Sequence, residues 1–265
     1  MESQEDYWAA VALLDWQVAL GADEAIGDVP VDRYALDAVV AKPAPVAVER
    51  GRPPPPPIPA PESFDAPALA REAAEGAADL EALRAAQEGF TLCTLQRGAR
   101  HFVWAEGDPA ARVMWIGEAP GRAEDQAGRP FVGPGGALLD RMLGAIGLDR
   151  TAADPARAAY VLHALPWRTA GAGMPQPEDL AMMLPFLERH IALVQPDIVV
   201  CMGNAPCQAL LGRAGITRMR GRWAEVLGRP ALPIFAPEYL LAQPEAKREA
   251  WADLLAVKAR LRAGG

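Results

Sequence analysis

At residues 112–121 the chain reads Arg112-Val113-Met114-Trp115-Ile116-Gly117-Glu118-Ala119-Pro120-Gly121. A short apolar run that stops at a glycine is typical of a buried strand followed by a tight turn. Residues 122–136 continue the turn with further glycines and lead into a helical pattern. This region therefore predicts a strand, a glycine-rich loop and a helix in succession.

The same alternation recurs along the chain. Further short apolar runs occupy residues 159–162, 197–202 and 232–235, and Pro233 makes the last one a weaker strand. Helical patterns occupy about residues 66–88, 135–146, 177–194, 204–212 and 245–261. Apolar strands that alternate with helices predict an α/β fold with a parallel sheet covered on both faces. Ligands of such sheets bind beyond the carboxyl ends of the strands, so the segments that follow the four runs should contain the site.

The first 65 residues differ in composition from the rest. Residues 1–40 form an acidic segment, in which an amphipathic helix is predicted over residues 5–20. This helix either packs on the main domain or binds a protein partner. Residues 41–65 form a proline-rich linker with uninterrupted prolines at 53–57, which favours an extended spacer; a ligand for an SH3-type domain is the alternative. Residues 66–265 are expected to form the α/β domain, to which the N-terminal helical extension is appended.

The net charge of −8 is unevenly distributed along the chain. Nine of the 34 acidic residues, but one of the 26 basic residues, lie in residues 1–37, which leaves 25 of each in the remainder. The acidic total therefore does not exclude a local basic face that binds nucleic acid.

Hydropathy argues against a membrane protein, because no apolar run approaches the ~18–20 residues that cross a bilayer. The first residues also lack the basic start of a secretory signal. We therefore expect a cytoplasmic protein without a membrane partner. Cys93, Cys201 and Cys207 are too few for a disulfide framework, and the last two are expected to be small core residues.

The loop of residues 117–136 contains the residues best suited to bind a ligand. Its glycines let the backbone approach a ligand, and backbone N–H groups ahead of the next helix can hold a phosphate or carbonyl oxygen. Phe131 lies between Pro130 and Val132, where its ring could stack on a flat ligand. The alternative is an ordinary strand-to-helix connection with Phe131 in the core. A nucleotide-binding oxidoreductase is not expected, because the loop lacks G-x-G-x-x-G order and no acid follows a second strand to hold a ribose.

This loop, continued through residues 138–143, resembles the first motif of the family 4 uracil-DNA glycosylases, the thermostable iron–sulfur group. The similarity covers about residues 90–258 in order, through the segments at 175–178, 202–204, 215–221, 239–241 and 246–251. The resemblance implies a four-stranded parallel sheet between helices, hence a three-layer α/β/α fold. It also implies hydrolysis of the N-glycosidic bond of uracil in DNA, a step of base excision repair.

The resemblance further implies roles for particular residues. Glu118, with the neighbouring backbone of Gly117 and Ala119, would lie on the polar side of the pocket. Phe131 would stack on the flipped base, and Asn204 would contribute to base binding. Flipping a base costs a few kcal/mol, and stacking on an aromatic ring returns about 1–3 kcal/mol. Because uracil departs as an anion, donors are needed where negative charge develops on its oxygen.

Two positions depart from the family's pattern. The family's fourth strand is followed by a His-Pro pair whose imidazole contacts the departing uracil, and here the pair is Ala236-Pro237. Losing such a donor typically costs about a hundred- to a thousand-fold in rate. The family's second strand ends with an asparagine that reads the amide edge of uracil, and His163 aligns with it. His163 reads a different base, supplies the missing donor, or is merely a satisfied histidine at a strand end. Glu118 and His163 are therefore the catalytic candidates.

The resemblance also implies four cysteine ligands for an iron–sulfur cluster. Only Cys93 matches, whereas Phe90, Trp167 and Met183 occupy the other three positions. A cluster needs about four thiolates, and apolar residues at three positions indicate that packing fills the space. We therefore expect no cofactor: the cluster is expected to be lost, and no other metal site is predicted.

A basic segment follows the third strand and its helix. Residues 212–222 contain four arginines and no acid, and Arg218, Arg220 and Arg222 would project to one side of an extended chain, where they would contact phosphates. Lys247 and Arg248, at the start of the last helix, would add phosphate contacts. The alternative is a solvated charged face.

Two functions are compatible with these residues. The first is an enzyme that excises uracil or another deaminated base from single- or double-stranded DNA, with reduced or altered activity. The second is a catalytically inactive DNA-binding or scaffold protein that retains the fold. Ala236, His163 and the missing cysteines favour the second function, whereas the intact loop favours the first. We expect the enzyme.

Overall fold

The computed structural model describes residues 65–169 and 175–263, together with the helical residues 11, 13 and 14. The remainder of the predicted N-terminal helix and the proline-rich linker lie outside the described residues. The fold below belongs to the unit Glu62–Gly265. Within the part that is described, no helix combines the length and the apolar character needed to cross a membrane.

A five-stranded sheet forms the centre of this unit. Its strands are β1 (Val113–Gly117), β2 (Tyr160–His163), β3 (Ile198–Met202), β4 (Ala224–Val226) and β5 (Arg229–Ile234). The spatial order is β2-β1-β3-β5-β4, and all neighbours are parallel except β4 and β5, which pair antiparallel. The four parallel strands correspond to the four apolar runs, which confirms the predicted α/β fold. The expected count of four strands is one too low, because the short edge strand β4 has two exposed residues and no apolar run.

Nine α-helices occur in the described ranges. They are α1 (Ala66–Glu75), α2 (Leu80–Glu88), α3 (Arg122–Ala127), α4 (Gly133–Ile146), α5 (Pro177–Val194), α6 (Asn204–Leu211), α7 (Ile216–Met219), α8 (Pro237–Ala242) and α9 (Lys247–Ala263). Every residue of β1, β2 and β3 is buried, as expected for parallel strands that helices cover on both faces. All three cysteines are buried and free, with Cys201 in β3 and Cys207 in α6.

The single helix expected over residues 66–88 is two helices. The Asp79 side chain accepts a hydrogen bond from the N–H of Ala82 at 2.8 Å and so caps a new helix start. Asp65 caps α1 in the same way, through the N–H of Ala68 at 3.1 Å. Aspartate is favoured at such caps because its carboxylate satisfies an N–H group that the first turn leaves unpaired. A capping residue inside the apparently continuous pattern therefore divides it.

Candidate functional site

The carboxyl ends of β1, β2, β3 and β5 meet at one edge of the sheet. Each of these four strands has a polar residue at its carboxyl end or within a few residues after it. These side chains are Glu118 after β1, His163 at the end of β2, Asn204 after β3 and Glu238 after β5. The structure thus brings the predicted loop and its partners to the edge where ligands of parallel sheets bind.

Glu118 joins the end of β1 to the start of α6. Its Oε1 atom accepts hydrogen bonds from the backbone N–H groups of Asn204 at 2.7 Å and Ala205 at 3.1 Å. A carboxylate at a helix N-terminus is stabilised both by these unpaired donors and by the helix dipole. One oxygen of the predicted catalytic carboxylate is therefore committed to holding the pocket together.

The side chain of Asn204 is partly committed as well. Its Oδ1 atom accepts hydrogen bonds from the N–H groups of Gly215 at 3.0 Å and Ile216 at 2.9 Å, at the start of α7. An amide side chain has one acceptor oxygen and two N–H donors. The carboxamide oxygen of Asn204 thus holds α7, and its NH2 group is the part suited to reach a base.

The ring of Phe131 stacks on the imidazole of His163. The ring centroids are 4.4 Å apart, and the planes are inclined by 26°. A Cβ atom on Gly117 would lie 2.6 Å from Phe131 Cζ and 2.8 Å from His163 Nδ1, so only glycine lets both rings approach β1 this closely. Phe131 is 2% exposed. His163 covers one face of this ring, so the predicted stacking of a base on that face of Phe131 requires His163 to move.

Glu124 in α3 is a site residue that the sequence reasoning missed. Its Oε1 atom accepts the N–H of Phe131 at 2.7 Å and lies 3.1 Å from His163 Nε2, while Oε2 accepts the N–H of Gly121. Burial raises the pKa of this carboxyl. The hydrogen bond from His163, the charge of that ring when it is protonated, and the two backbone donors lower the pKa by more than burial raises it, so the pKa of Glu124 lies below its usual value. Glu124 is three residues after Gly121, the N-cap of α3, and this capping-box spacing is the sequence signal that could have indicated Glu124.

The second ring nitrogen of His163 has no hydrogen-bond partner among the described residues. This atom, Nδ1, is buried, and the side chain is 4% exposed. When Nε2–H donates to Glu124, Nδ1 of the neutral ring is an acceptor. A donor role for Nδ1 therefore requires a second proton on the ring.

Arg150 is a second residue that the sequence did not indicate. Its guanidinium donates to the carbonyl oxygens of Pro130 at 3.2 Å and Phe131 at 3.3 Å. It also makes a bidentate pair with Asp140, at 2.7 and 2.8 Å. Phe131 has a left-handed backbone with φ 51°, which is costly for a non-glycine residue. The hydrogen bond from Arg150 to the carbonyl of Phe131, and the one from the N–H of Phe131 to Glu124, hold Phe131 in this conformation.

The predicted row of arginines is not an extended strand. Arg218 lies in the short helix α7, and Arg218 and Arg222 are exposed. Arg220 instead donates to both carboxylate oxygens of Asp253, whose side chain is 2% exposed, and to Glu249 Oε2 at 3.2 Å. A phosphate contact of Arg220 would therefore compete with buried and exposed acids of α9, which already engage its charge.

The other two predicted phosphate contacts lie at the start of α9. Lys247 and Arg248 are both exposed in its first turn. Arg218 and Arg222 are exposed on α7 and in the segment after it. These four cations are available to an approaching polyanion, whereas Arg220 supports the fold.

Comparison with known proteins identifies the family. Residues 104–255 match the model of the uracil DNA glycosylase superfamily. A type-4 uracil-DNA glycosylase of Thermotoga maritima is 32% identical over 154 residues, which are 57% of this chain and 77% of that protein. That of Archaeoglobus fulgidus is 31% identical over 170 residues, which are 61% and 82%. That of Sulfurisphaera tokodaii is 32% identical over 136 residues, which are 49% and 59%.

These relatives overturn the prediction that the protein has no cofactor. They are type-4 glycosylases, the iron–sulfur group that the sequence resembles. The side chains at the four family positions do not, however, form a four-thiolate site. Cys93 is buried, Phe90 and Trp167 have no thiolate to offer, and the Met183 sulfur lies 3.9 Å from Gln87 Nε2. The residues at these four positions therefore do not fit a cluster held by four thiolates.

The matched region contains the sheet and the loop of residues 117–136. It also contains the helices that carry Glu124, Asn204 and Glu238. The matched region spans more than half of the chain, and the candidate site residues lie at the sheet edge that the topology predicts. This chain belongs to the uracil DNA glycosylase superfamily.

Proposed function

We propose that this protein is a DNA N-glycosylase that excises uracil or another deaminated base from DNA in base excision repair. One observation carries the proposal: the loop of residues 117–136 lies at the carboxyl ends of parallel strands in a chain of this superfamily. Its curated relatives are type-4 uracil-DNA glycosylases. Residues 66–265 form the catalytic domain in this proposal, and residues 1–40 and 41–65 are an appended helical segment and its linker.

The reaction breaks the bond between C1′ of the sugar and a nitrogen of the base. The bonding electron pair leaves with the base, and the oxygen of a water molecule adds to C1′. The enzyme must hold the flipped base and stabilise the charge that develops on it. We assign the binding of the base to Phe131, Asn204 and the backbone of Gly117 and Ala119.

Glu118 and His163 supply the polar side-chain contacts in this proposal. Glu118 has one oxygen engaged with the start of α6, which gives its carboxylate a defined orientation. His163 offers the acceptor Nδ1, which is buried in this arrangement and can meet an N–H group of a base once the ring has turned away from Phe131. Uracil, hypoxanthine and xanthine all present an N–H beside a carbonyl, whereas the cytosine and adenine from which uracil and hypoxanthine arise do not, so this acceptor separates these two deaminated bases from their parents.

Entry of a base against Phe131 requires His163 to turn away. The imidazole covers one face of Phe131 and is hydrogen-bonded to Glu124. Moving the imidazole costs the stacking and this hydrogen bond, and this cost, together with the missing donor at Ala236, is expected to reduce activity toward uracil. The activity is therefore expected to be slow when compared with enzymes that have an asparagine and a histidine at these two positions.

DNA is the substrate in this proposal, and exposed cations bind its backbone. Arg218, Arg222, Lys247 and Arg248 are assigned to phosphate contacts. Arg220 is not assigned to a phosphate contact, since its guanidinium is paired with Asp253 and Glu249.

A catalytically inactive DNA-binding protein is the second candidate. The observation that favours it is the stack of His163 on Phe131, which covers a face that a base would use. Ala236 also favours the inactive protein, because its methyl group cannot donate a hydrogen bond to the departing base.

Single-turnover cleavage separates the two candidates. The purified full-length chain is incubated in excess over single- and double-stranded oligonucleotides that contain uracil, hypoxanthine or xanthine, beside an Ala236→His variant. Release of a base by the wild type, with an increase in the variant, supports the enzyme. Binding without release by the wild type, and release by the variant alone, supports the inactive protein.

A further inference from the structure

Glu238 is the second residue of α8 and directly follows the Ala236-Pro237 pair. It therefore lies beyond the carboxyl end of β5, at the part of the site where the departing base requires a donor. Ala236 is buried and has no polar side-chain atom. Glu238 is thus the nearest polar side chain in the sequence to the position of the missing donor.

The Glu238 side chain reaches across the start of α4. Its Oε1 atom would lie 2.1 Å from a Cβ atom on Gly135, and its Cδ atom 3.0 Å from it. The space that a side chain at position 135 would fill is therefore occupied by this carboxyl group. Because Gly135 belongs to the loop of residues 117–136, the contact brings the carboxyl of α8 to that loop, although Glu238 as a whole residue is exposed.

Charged groups face Glu238 from three neighbouring elements. Burial of the carboxyl raises the pKa of Glu238, and the charges of Glu124 on α3 and Glu118 after β1 raise it further. Its own backbone N–H acts in the opposite direction, as does His163 on β2 whenever its ring is protonated, without cancelling the rise. The α4 residue against it, Gly135, has no side chain.

The two pocket carboxyls with shifted pKa values are displaced in opposite directions. The pKa of Glu124 lies below its ordinary value, since its oxygens accept hydrogen bonds from His163 and the loop backbone, whereas that of Glu238 lies above. Environments that separate the pKa values of neighbouring carboxyls are typical of sites in which one group remains ionised and the other acts as an acid.

We propose that Glu238 is a catalytic residue whose protonated carboxyl donates to the departing base, in place of the donor that Ala236 does not supply. The inference rests on the proposed glycosylase function and adds to it the source of the leaving-group proton. The partner acceptor is Nδ1 of the neutral His163 imidazole after the ring has turned from Phe131 to admit the base; this atom has no hydrogen-bond partner among the described residues. A donor and an acceptor together read a base that presents a carbonyl oxygen beside an N–H.

The bond between C1′ and the base nitrogen breaks, and its electron pair delocalises onto a carbonyl oxygen of the base. The O–H of Glu238 transfers its proton to that oxygen and becomes a carboxylate. A water oxygen forms the new bond to C1′, and the proton that this water releases to solvent is matched by the one that solvent returns to Glu238.

Single-turnover excision of uracil from a single-stranded oligonucleotide, measured between about pH 5 and 9, tests the role. The chains compared are the wild type, Glu238→Ala, Glu238→Gln and the control Glu225→Gln, which alters an exposed carboxylate of β4. We expect the wild-type rate to fall as pH rises through the pKa of Glu238. The alanine variant should be about a hundred- to a thousand-fold slower at low pH. The glutamine variant keeps an N–H donor, so its rate should not fall with pH and should be higher than that of the alanine variant. The rate of the control should vary with pH as that of the wild type does.

Three results would overturn the proposal or its foundation. An alanine variant as fast as the wild type removes Glu238 from the reaction. If the wild-type rate rises with pH over this range, and Glu238→Gln is as slow as Glu238→Ala, then Glu238 acts as a base and not as an acid. A wild type that releases no base at any pH, while still binding DNA, rejects the proposed glycosylase function itself. If the alanine variant does not fold, as judged by thermal melting, the pH profile of the glutamine variant decides.

Discussion

The imidazole of His163 lies against the ring of Phe131, with ring centroids 4.4 Å apart. Its Nε2 atom is held by Glu124, 3.1 Å away, which also accepts the backbone N–H of Phe131. The same carboxylate therefore fixes both members of the stack. Since a flipped base must also lie flat against an aromatic ring, His163 and the base compete for the slot beside Phe131.

Replacement of His163 by asparagine should open this slot. Asn is shorter than His and offers a donor and an acceptor side by side. Since stacking is worth about 1–3 kcal/mol, removal of the competing ring should raise single-turnover excision of uracil about tenfold or more. His163→Phe is the matched control, because it keeps a flat ring in the slot, and it should show no increase. An asparagine variant no faster than the wild type would show that the stack does not limit entry.

Glu118 should contribute to stability as well as to the site. Because its Oε1 atom caps α6 through two N–H groups, Glu118→Ala should lower the free energy of unfolding by about 1–2 kcal/mol, measured by urea denaturation. Glu118→Gln keeps an acceptor oxygen and should lose less than half of that. Equal losses in the two variants would indicate that charge, and not the hydrogen bonds, stabilises the helix start.

Arg220 should stabilise the fold and not bind DNA. Burial raises the pKa of Asp253 even though Arg220 lies beside it, so removal of the arginine leaves a buried carboxyl that is costly to ionise. Arg220→Ala should therefore lower the free energy of unfolding by about 3 kcal/mol at neutral pH. The loss should shrink in acid, where Asp253 is protonated. An Arg220→Ala variant of wild-type stability would return this residue to the candidates for phosphate contact.

Arg218 offers the opposite test within the same segment. It is exposed, so Arg218→Ala should leave the urea midpoint within error of the wild type. Affinity for a single-stranded oligonucleotide, measured by fluorescence anisotropy at several salt concentrations, should show a log–log salt slope reduced by about 0.7. Arg222→Ala should behave alike. An unchanged slope in both variants would remove α7 and its following turn from the DNA-binding surface.

Glu124 should make stability depend on acid pH. Its folded-state pKa lies below the ordinary value of 4.5, so its contribution is present above pH 4.5 and is lost as pH falls through the folded-state pKa. Glu124→Gln should be less stable than the wild type at neutral pH, and the difference should narrow toward about pH 3 in urea denaturation. A difference that stays constant over this range would exclude the ionised carboxylate as its source.

Much of the fold could be predicted from local patterns. The helix expected at residues 177–194 has those bounds in the structure, and the four apolar runs are the four parallel strands. The short elements β4, α7 and α8 were missed, since three to six residues are too few to establish a period. Helix α3 was missed because it lies inside the glycine-rich loop.

The sequence by itself determined the parallel sheet, the edge at which the site lies and the loop that forms it. These depend on apolar runs, glycines and caps that act on neighbouring residues. Only the tertiary structure placed His163 on Phe131, paired Arg220 with Asp253 and laid Glu238 over Gly135. Each of these pairs joins residues more than 30 positions apart. Such contacts are set by how helices and strands pack, and no local pattern encodes which distant side chain will satisfy a buried charge or fill a slot.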